Sequence, residues 1–520
     1  MDASTLILCL GLAVGCALSA RTLLHLFQLE SYQFAGFFRS LRRNALKVLV
    51  PGYILSVVGM VIYLLFRDRP AARIAAGLLT AAAGAGILWM SRRTKEKKKF
   101  VPTARVRRLW ITLGLFCFLV LLLPFWGAAR WVFPLFLPLS FVLAALIVWP
   151  VEWGIQQLYL QDAKRKLKRR PDLIKIGITG SYGKTSVKFI LDTLLSAKYQ
   201  VLPTPASFNT PMGLTRVIRE RLQPGHQVFL AEMGARHRKD IRELCNLVHP
   251  QYGVLTSVGP QHLETFHSIE NIRETKYDLI RALPPEGCAF FPDDGGICRE
   301  LYDRTAGNKR LVSIGRREGA TLWAENLWVS SMGSIFDLCD GRDSVTCKTK
   351  LLGEHNIQNI LLASAVALEL GVSLKQLQRG IAQLQPVEHR LELKQQGGLT
   401  VIDDAFNSNP VSARKALEVL KAFDATRVIV TPGMVELGEE EARFNREFGE
   451  AMASCVDLAI LVGPKHTAPI REGLVSRGFP ERAIHTVASL GEVPALLASL
   501  THPGDTVLFE NDLPDNYSET

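Results

Sequence analysis

The chain has 520 residues, 48% of them apolar, with a mean hydropathy of +0.14 and a net charge of +12. That length exceeds one ordinary core, and the charge is lopsided: 24 of the 61 Lys and Arg, but only six of the 49 Asp and Glu, precede position 171. Basic residues bordering apolar runs, without interleaved aromatics, argue against nucleic acid and for anionic lipid headgroups; nine cysteines with no CxxC pair argue against a zinc site and for reduced, structural thiols.

Five apolar runs come first, approximately Leu6–Phe27, Val48–Phe66, Ile74–Met90, Leu109–Trp126 and Val132–Trp149. Each is close to the ~20 residues that a helix needs to cross a bilayer. The first opens with Asp2 and no basic residue, and four more runs follow, which argues against a cleaved signal peptide. Basic residues gather in three stretches, Arg39–Lys47, Arg92–Arg108 and Lys164–Arg170. Five crossings put all three on one side, which the positive-inside rule makes cytoplasmic; the short Arg67-Asp68-Arg69 stretch falls on the other side and dissents. The third run, short and rich in Gly and Ala, or the fifth, reads alternatively as a re-entrant or interfacial helix. The expectation is a multi-pass cell-membrane domain over 1–150 with its N-terminus outside, a basic juxtamembrane linker over 151–170, and everything beyond in the cytoplasm.

From Leu173 the texture changes to short apolar runs alternating with helical patterns. IKIGIT precedes VKFILDTLLSA, followed by QVFLAEM, YGVLTSV and a helical pattern through Ile272–Leu283. This is α/β texture with a parallel sheet. It restarts after Arg390 with LTVIDDA, VSARKALEVLKAF, TRVIVTPG, LAILVG and DTVLFEN. Two α/β domains are expected, over 171–392 and 393–520.

The first of these strand–helix junctions reads KIGITGSYGKTS, Lys175–Ser186. Glycines between a strand and a helix let backbone N–H groups wrap phosphates at a helix N-terminus. Thr179, Gly180, Ser181, Gly183, Lys184, Thr185 and Ser186 are the candidate phosphate contacts, with Lys184 reaching the terminal phosphates and the Thr185 hydroxyl a Mg²⁺. The GxxxxGK[ST] spacing nevertheless fails, because its first glycine would fall at Ile178.

TGSYGKTS resembles the TGTxGKT[ST] loop of the Mur ligase superfamily, which joins amino acids or peptides to carboxylates. Further stretches are similar in the same order: QVFLAEMGARH with Glu232; TSVGPQHLETFHSIENIRETKYDLI with His262, Phe266, Ser268 and Lys276; GEHNIQN with His355, Asn356 and Asn359; and VEHRLEL with Arg390. ASFNTPMG with Asn209, VIDDAFNSNPVS with Asp404 and Asn407, and GMVELGEEE resemble the D-alanyl-D-alanine-adding branch most. Three departures stand out. Apolar runs occupy the place of the family's UDP-binding domain, the family's SYN has become Ala405-Phe406-Asn407, and its basic ending has become FENDLPDNY.

The resemblance implies a membrane-anchored, ATP-dependent amide ligase of cell-envelope synthesis acting through an acyl phosphate. It implies ATP and two Mg²⁺ ions, one held by Thr185 and Glu232, the other through His262 and a carbamylated Lys276. Lys184, His262 and Lys276 would be catalytic. Asn356, Asn359, Arg390 and Asp404 would hold the nucleotide, and Asn209 and Asn407 the substrate. Taken alone, Lys276 reads more readily as a solvated helix lysine and His262 as a packed or capping histidine. Asp403 and Asp404 alternate along a strand, so only one enters the cleft. The partners implied are an amino acid or D-alanyl-D-alanine-like dipeptide as amine, and a carboxylate acceptor, with a lipid-linked one among the candidates. Two other readings stay open: a ligase resembling poly-γ-glutamate synthase, and a nucleotide-sensing membrane regulator without catalysis.

Overall fold

The structure, a computed structural model, describes residues 2–66, 69–93, 99–205, 208–406 and 408–513. Two units partition these residues, one ending at Leu158 and the other running from Tyr159 to Leu513.

The first unit is helical: α1 (Ala3–Ser19), α2 (Arg21–Leu29), α3 (Phe34–Arg43), α4 (Ala45–Phe66), α5 (Pro70–Arg93), α6 (Ala104–Leu121) and the start of α7 (Leu137–Lys168), with a 3-10 stretch over Pro124–Phe136. Asp2 caps α1, its carboxylate accepting from the Thr5 amide at 3.0 Å. α1 and α5 touch backbone to backbone, and a Cβ on Gly11 would lie 2.2 Å from the Gly77 carbonyl oxygen. In a bilayer, which supplies no hydrophobic drive between helices, close van der Waals approach at small residues is what would hold such a pair.

Among the described residues four stretches are long and apolar enough to cross a membrane: Ala3–Leu29, Ala45–Ile62, Pro70–Arg93 and Ala129–Lys168. The sequence-based expectation was about five. The fourth run begins inside α6, whose opening turns carry Arg105, Arg107 and Arg108, and it breaks at Pro124 into the 3-10 stretch, so no long uncharged helix forms there. α3 is short and amphipathic, with Phe37 buried and Phe38, Arg39, Arg42 and Arg43 exposed.

The second unit holds two sheets. The strands of the first are β1 (Ile174–Thr179), β2 (Val201–Pro203), β3 (Val228–Glu232), β4 (Tyr252–Leu255), β5 (Cys288–Pro292), β6 (Asn308–Ile314), β7 (Leu322–Ser330), β8 (Gly333–Cys339) and β9 (Ser344–Thr349). Their order is β2-β3-β1-β4-β5-β6-β7-β8-β9, parallel from β2 through β7 and antiparallel at β7–β8 and β8–β9. β3 is buried at every position, as a strand covered on both faces must be.

One core packs α8 (Lys184–Leu195) and a later helix, Glu354–Glu369, through Val187, Ile190, Leu191, Ile357 and Leu361. Another packs α9 (Pro211–Glu220), α10 (Asp240–Val248) and Ile269–Arg281 through Leu214, Leu244, Ile272 and Leu279. The last turns of α7 join that second core: Ala163 and Leu167 are buried there, and Asp162 accepts from Arg219 at 2.7 Å. The segment 151–170, expected as a basic linker, is helical as far as Lys168.

The C-terminal sheet comprises β10 (Glu392–Gln396), β11 (Leu399–Asp404), β12 (Arg427–Thr431), β13 (Leu458–Val462), β14 (Ile484–Val487) and β15 (Thr506–Glu510). Its order is β10-β11-β15-β12-β13-β14, parallel except for the β10–β11 hairpin. The chain is α/β beyond its N-terminal helices, with two successive parallel-sheet domains, as expected from the sequence.

Candidate active site

In the first sheet β1 and β4 are neighbours, and their following helices lie on opposite faces. Open α/β sheets place ligand crevices beyond the strand C-termini at such a switch point. The loops leaving β1, β3 and β4 meet there and are stitched together. The Ser181 amide donates to the Ser257 carbonyl at 2.9 Å, and the Ser181 hydroxyl to the Gly259 carbonyl at 2.9 Å. The Tyr182 amide donates to the Ser257 hydroxyl at 2.8 Å, and Thr256 Oγ1 donates to the Tyr182 carbonyl. Thr179 Oγ1 donates to the Met233 carbonyl at 2.9 Å.

Gly183 opens α8 with φ +82, a left-handed conformation that an L side chain resists. Lys184 Nζ donates to the Gly180 and Ser181 carbonyls at 2.6 and 3.2 Å. Burial lowers its pKa to about 8, against the pull of Glu232. Thr185 and Ser186 border a cleft of about 520 Å³ that is also lined by Phe189, Asn356, Arg390 and Phe406.

Glu232 closes β3 and is almost fully buried. Lys188 Nζ donates to its Oε2 at 2.9 Å, Asn209 Nδ2 to its Oε1 at 3.1 Å, and its own amide donates to Thr204 Oγ1 at 3.1 Å. Burial alone would raise its carboxyl; Lys188 and then Lys184 outweigh that and hold it below the ordinary glutamate range. Asn209, expected at the substrate, thus has its side-chain amide on Glu232.

His262 follows β4 in a left-handed turn, φ +52, and caps the short helix α11 (Leu263–Phe266). Its Nδ1 meets Glu436 Oε2 of the C-terminal domain. Burial lowers the imidazole pKa, and Glu436 opposes that shift. Lys276 lies on α12 (Ile269–Arg281) and is 1% exposed. Burial pushes its amine well below the ordinary lysine range, Lys184 pushes it further, and Asp240 opposes. Among the described residues, Lys276 Nζ makes no hydrogen bond. It is no solvated surface lysine.

α13 (Ile297–Arg304) precedes α14 (Glu354–Glu369), which carries His355, Asn356 and Asn359. Asn356 Nδ2 donates to the Leu352 carbonyl at 2.8 Å, and Asn359 Nδ2 to Asn356 Oδ1 at 3.3 Å. Half-buried His355 is pushed down to about 3 by desolvation, and Lys415 pushes the same way. At the domain junction the Arg390 guanidinium lies over the Phe406 ring, 4.4 Å from its centroid. Asp404 accepts from the Leu391 amide at 3.2 Å; burial raises its carboxyl to about 6, and Arg390 opposes the rise. Asp403 instead pairs with Lys394 at 2.7 Å and His389 at 2.8 Å. The two carboxylates face opposite ways, as strand alternation requires. Asn407 lies outside the described residues.

Two residues in this constellation carry no role in the sequence reading. Lys188 follows Lys184 by four residues, one helical turn on the same face, which is a findable signal. Glu436 sits within GMVELGEEE, but nothing local tells that its side chain crosses to the other domain.

Among the described residues no three His, Cys, Asp or Glu side chains converge as a metal cage. Mg²⁺ does not need one: it keeps several waters and takes one or two protein oxygens plus substrate phosphates. Thr185 and the buried carboxylate Glu232, beside a phosphate-type loop, are a donor set of that kind.

The Mur ligase middle domain matches residues 178–367, and the Mur ligase glutamate ligase domain matches 389–510. A UDP-N-acetylmuramoyl-tripeptide–D-alanyl-D-alanine ligase of Mycobacterium bovis is 32% identical over 355 residues, 64% of this chain and 69% of the relative. The ligase of that name from Haemophilus influenzae is 28% identical over 342 residues, 63% of this chain and 74% of the relative. The crystal structure of MurF ligase from Thermotoga maritima in complex with ADP superposes with a TM-score of 0.62 at 26% identity, covering 69% of this chain and 80% of that one.

Proposed function

The chain belongs to the Mur ligase family of ATP-dependent ligases, and from that premise we propose that it is a membrane-anchored enzyme of peptidoglycan synthesis that joins a D-alanyl-D-alanine-like dipeptide to a muramoyl-peptide carboxylate. The names of the relatives favour a dipeptide over the single amino acid of a polymer-forming ligase. Whether the acceptor carries UDP or a lipid is decided by assay. The ligase halves are assigned to 171–392 and 393–520. The helices of 1–150 hold them at the cytoplasmic face, where ATP is, with α6 counted as a fifth crossing. The basic segment 151–170 lies within and just beyond α7.

A carboxylate does not condense with an amine in neutral water, because its oxygen is a poor leaving group. Transfer of the ATP γ-phosphoryl group to the acceptor oxygen gives an acyl phosphate and ADP. The amine nitrogen then attacks the acyl carbon, a proton leaves the nitrogen, the C–O bond breaks and phosphate departs. The protein's part is alignment and charge neutralisation. Lys184 and the amides opening α8 hold the phosphates, with Ser181 and Thr179 bracing the loop. Asn356, Asn359 and Arg390 take the nucleotide in the interdomain cleft, and Asp404 orients Arg390. Thr185 and Glu232 would hold one Mg²⁺, and His262 with a carbamylated Lys276 a second. When bound, these ions neutralise charge on the phosphates.

The observation that carries this reading is Lys276: buried, without a hydrogen bond, and near enough to Lys184 and His262 for their charges to interact. A neutral buried amine attacks CO₂ and, losing a proton, becomes an anionic oxygen donor. The test is phosphate release by the full-length protein with D-alanyl-D-alanine, single D- and L-amino acids, and UDP- or lipid-linked muramoyl peptides. Release should require both amine and carboxylate. Slow release indifferent to both would return the protein to the sensor class.

A further inference from the structure

We propose that Glu436, delivered by the C-terminal domain, is the positioning residue for His262, so that the metal subsite containing His262 is complete only when the two ligase domains meet through this pair. The inference rests on the proposed role of His262 as a ligand.

His262 is placed by backbone first. Its left-handed turn starts α11, its carbonyl accepts from the Thr265 and Phe266 amides at 3.0 Å each, and Phe266 anchors that helix in the core. None of this orients the ring. The ring is held by Glu436 Oε2 at Nδ1. A carboxylate in its ionised form only accepts, so this contact assigns the proton to Nδ1 and leaves the Nε2 lone pair for a ligand. Among the described residues Nε2 makes no hydrogen bond. Metal-ligating histidines repeatedly show this arrangement, one nitrogen given to a carboxylate and the other to the metal.

Glu436 is itself built into place. The loop leaving β12 is clamped by Asn445, whose side chain accepts from the Met434 amide and donates to the Met434 carbonyl, each at 2.9 Å. Leu437 is buried beside it. Glu436 adopts φ +64, a conformation that persists for a non-glycine residue only where surroundings impose it. Its carbonyl accepts from the Glu264 amide at 3.3 Å, and Arg236 stands 3.4 Å from Oε1. Thus two left-handed residues from two domains face each other across one hydrogen bond. A closure contact made only for stability would not need to engage an imidazole whose charge reaches Lys276.

The experiment counts Mn²⁺ ions bound to the full-length protein with a non-hydrolysable ATP analogue, by electron paramagnetic resonance of free Mn²⁺. Glu436→Ala should weaken the weaker ion about tenfold, the lower end of what loss of such an orienting partner costs, and leave the tighter ion unchanged. Glu436→Gln keeps an oxygen that accepts from Nδ1–H and should bind like the parent, as should Arg236→Ala. If His262→Ala loses the weaker ion but Glu436→Ala does not, His262 remains a ligand and the positioning role is overturned. If Glu436→Gln and Arg236→Ala are as damaging as Glu436→Ala, the pair is an ion-pair latch and the inference is again overturned. If His262→Ala binds both ions, the ligand assignment fails and takes the inference with it.

Discussion

Lys188 Nζ lies 2.9 Å from Glu232 Oε2, and both side chains are buried to 1% exposure or less. One turn along α8 from Lys184, the helix thus gives a second lysine to the carboxylate at the end of β3. Lys188→Met would leave Glu232 buried without its main countercharge. Losing one partner of a buried pair costs on the order of 3–5 kcal/mol. A lowered melting temperature and lost ligase activity are expected. Adding Glu232→Leu should recover most of the stability and none of the activity; a double variant as unstable as the single would show that Lys188 packs rather than pairs.

Lys276→Ala should reduce amine-dependent ADP formation by about 100- to 1,000-fold, the cost of one lost electrostatic stabiliser. Acetate should restore part of the rate by standing in for the carbamate. Nucleotide affinity, read by displacement of a fluorescent ATP analogue, should hardly change. Full activity in the alanine variant would end the role given to this lysine.

Glu510, fully buried at the end of β15, accepts from Thr431 Oγ1 at 2.9 Å and from Ser408. Burial raises its carboxyl to about 7 from an ordinary value of 4.5. The folded state therefore holds a proton that the unfolded chain has released between those values, and stability falls as pH rises through that window. Glu510→Gln should be neutral at pH 4 and stabilising at pH 8, by about 3 kcal/mol at most. Equal melting temperatures for variant and parent at pH 8 would contradict the buried, protonated acid.

Ala163 and Leu167 sit in the core beneath α9, so the end of α7 belongs to the ligase unit. A fragment beginning at Tyr159 should be obtained folded, whereas one beginning at Pro171 exposes that apolar surface and should aggregate. Monodisperse 171–520 fragment on gel filtration would contradict this.

Membrane topology turns on α6. With α6 as a fifth crossing, a periplasmic-type reporter is active at the N-terminus and silent at Thr520. Four crossings would make both silent, because the termini then share the cytoplasmic side.

How much of this was legible in advance follows from the range of the interactions involved. The alternation of short apolar runs with helical patterns, and the glycines of TGSYGKT, are local facts, and β1, α8 and the phosphate-type loop fall where they placed them. The opposite facing of Asp403 and Asp404 was likewise legible, since strand geometry alternates side chains whatever the fold. At the fourth apolar run composition is not enough: hydropathy counts residues, but a proline at 124 and three arginines opening α6 decide whether one uninterrupted helix forms.

The sequence by itself determined the α/β class, the order of the two ligase domains and the chemistry available at each motif, because backbone periodicity and glycine placement act over a few residues. Only the tertiary structure decided which groups meet. Lys188 and Glu232 are 44 positions apart, and His262 and Glu436 are 174 apart. Pairing at such separations is set by strand order and domain approach. That same packing excludes water, which turns an ordinary lysine at 276 into a buried amine and an ordinary glutamate at 510 into a protonated acid.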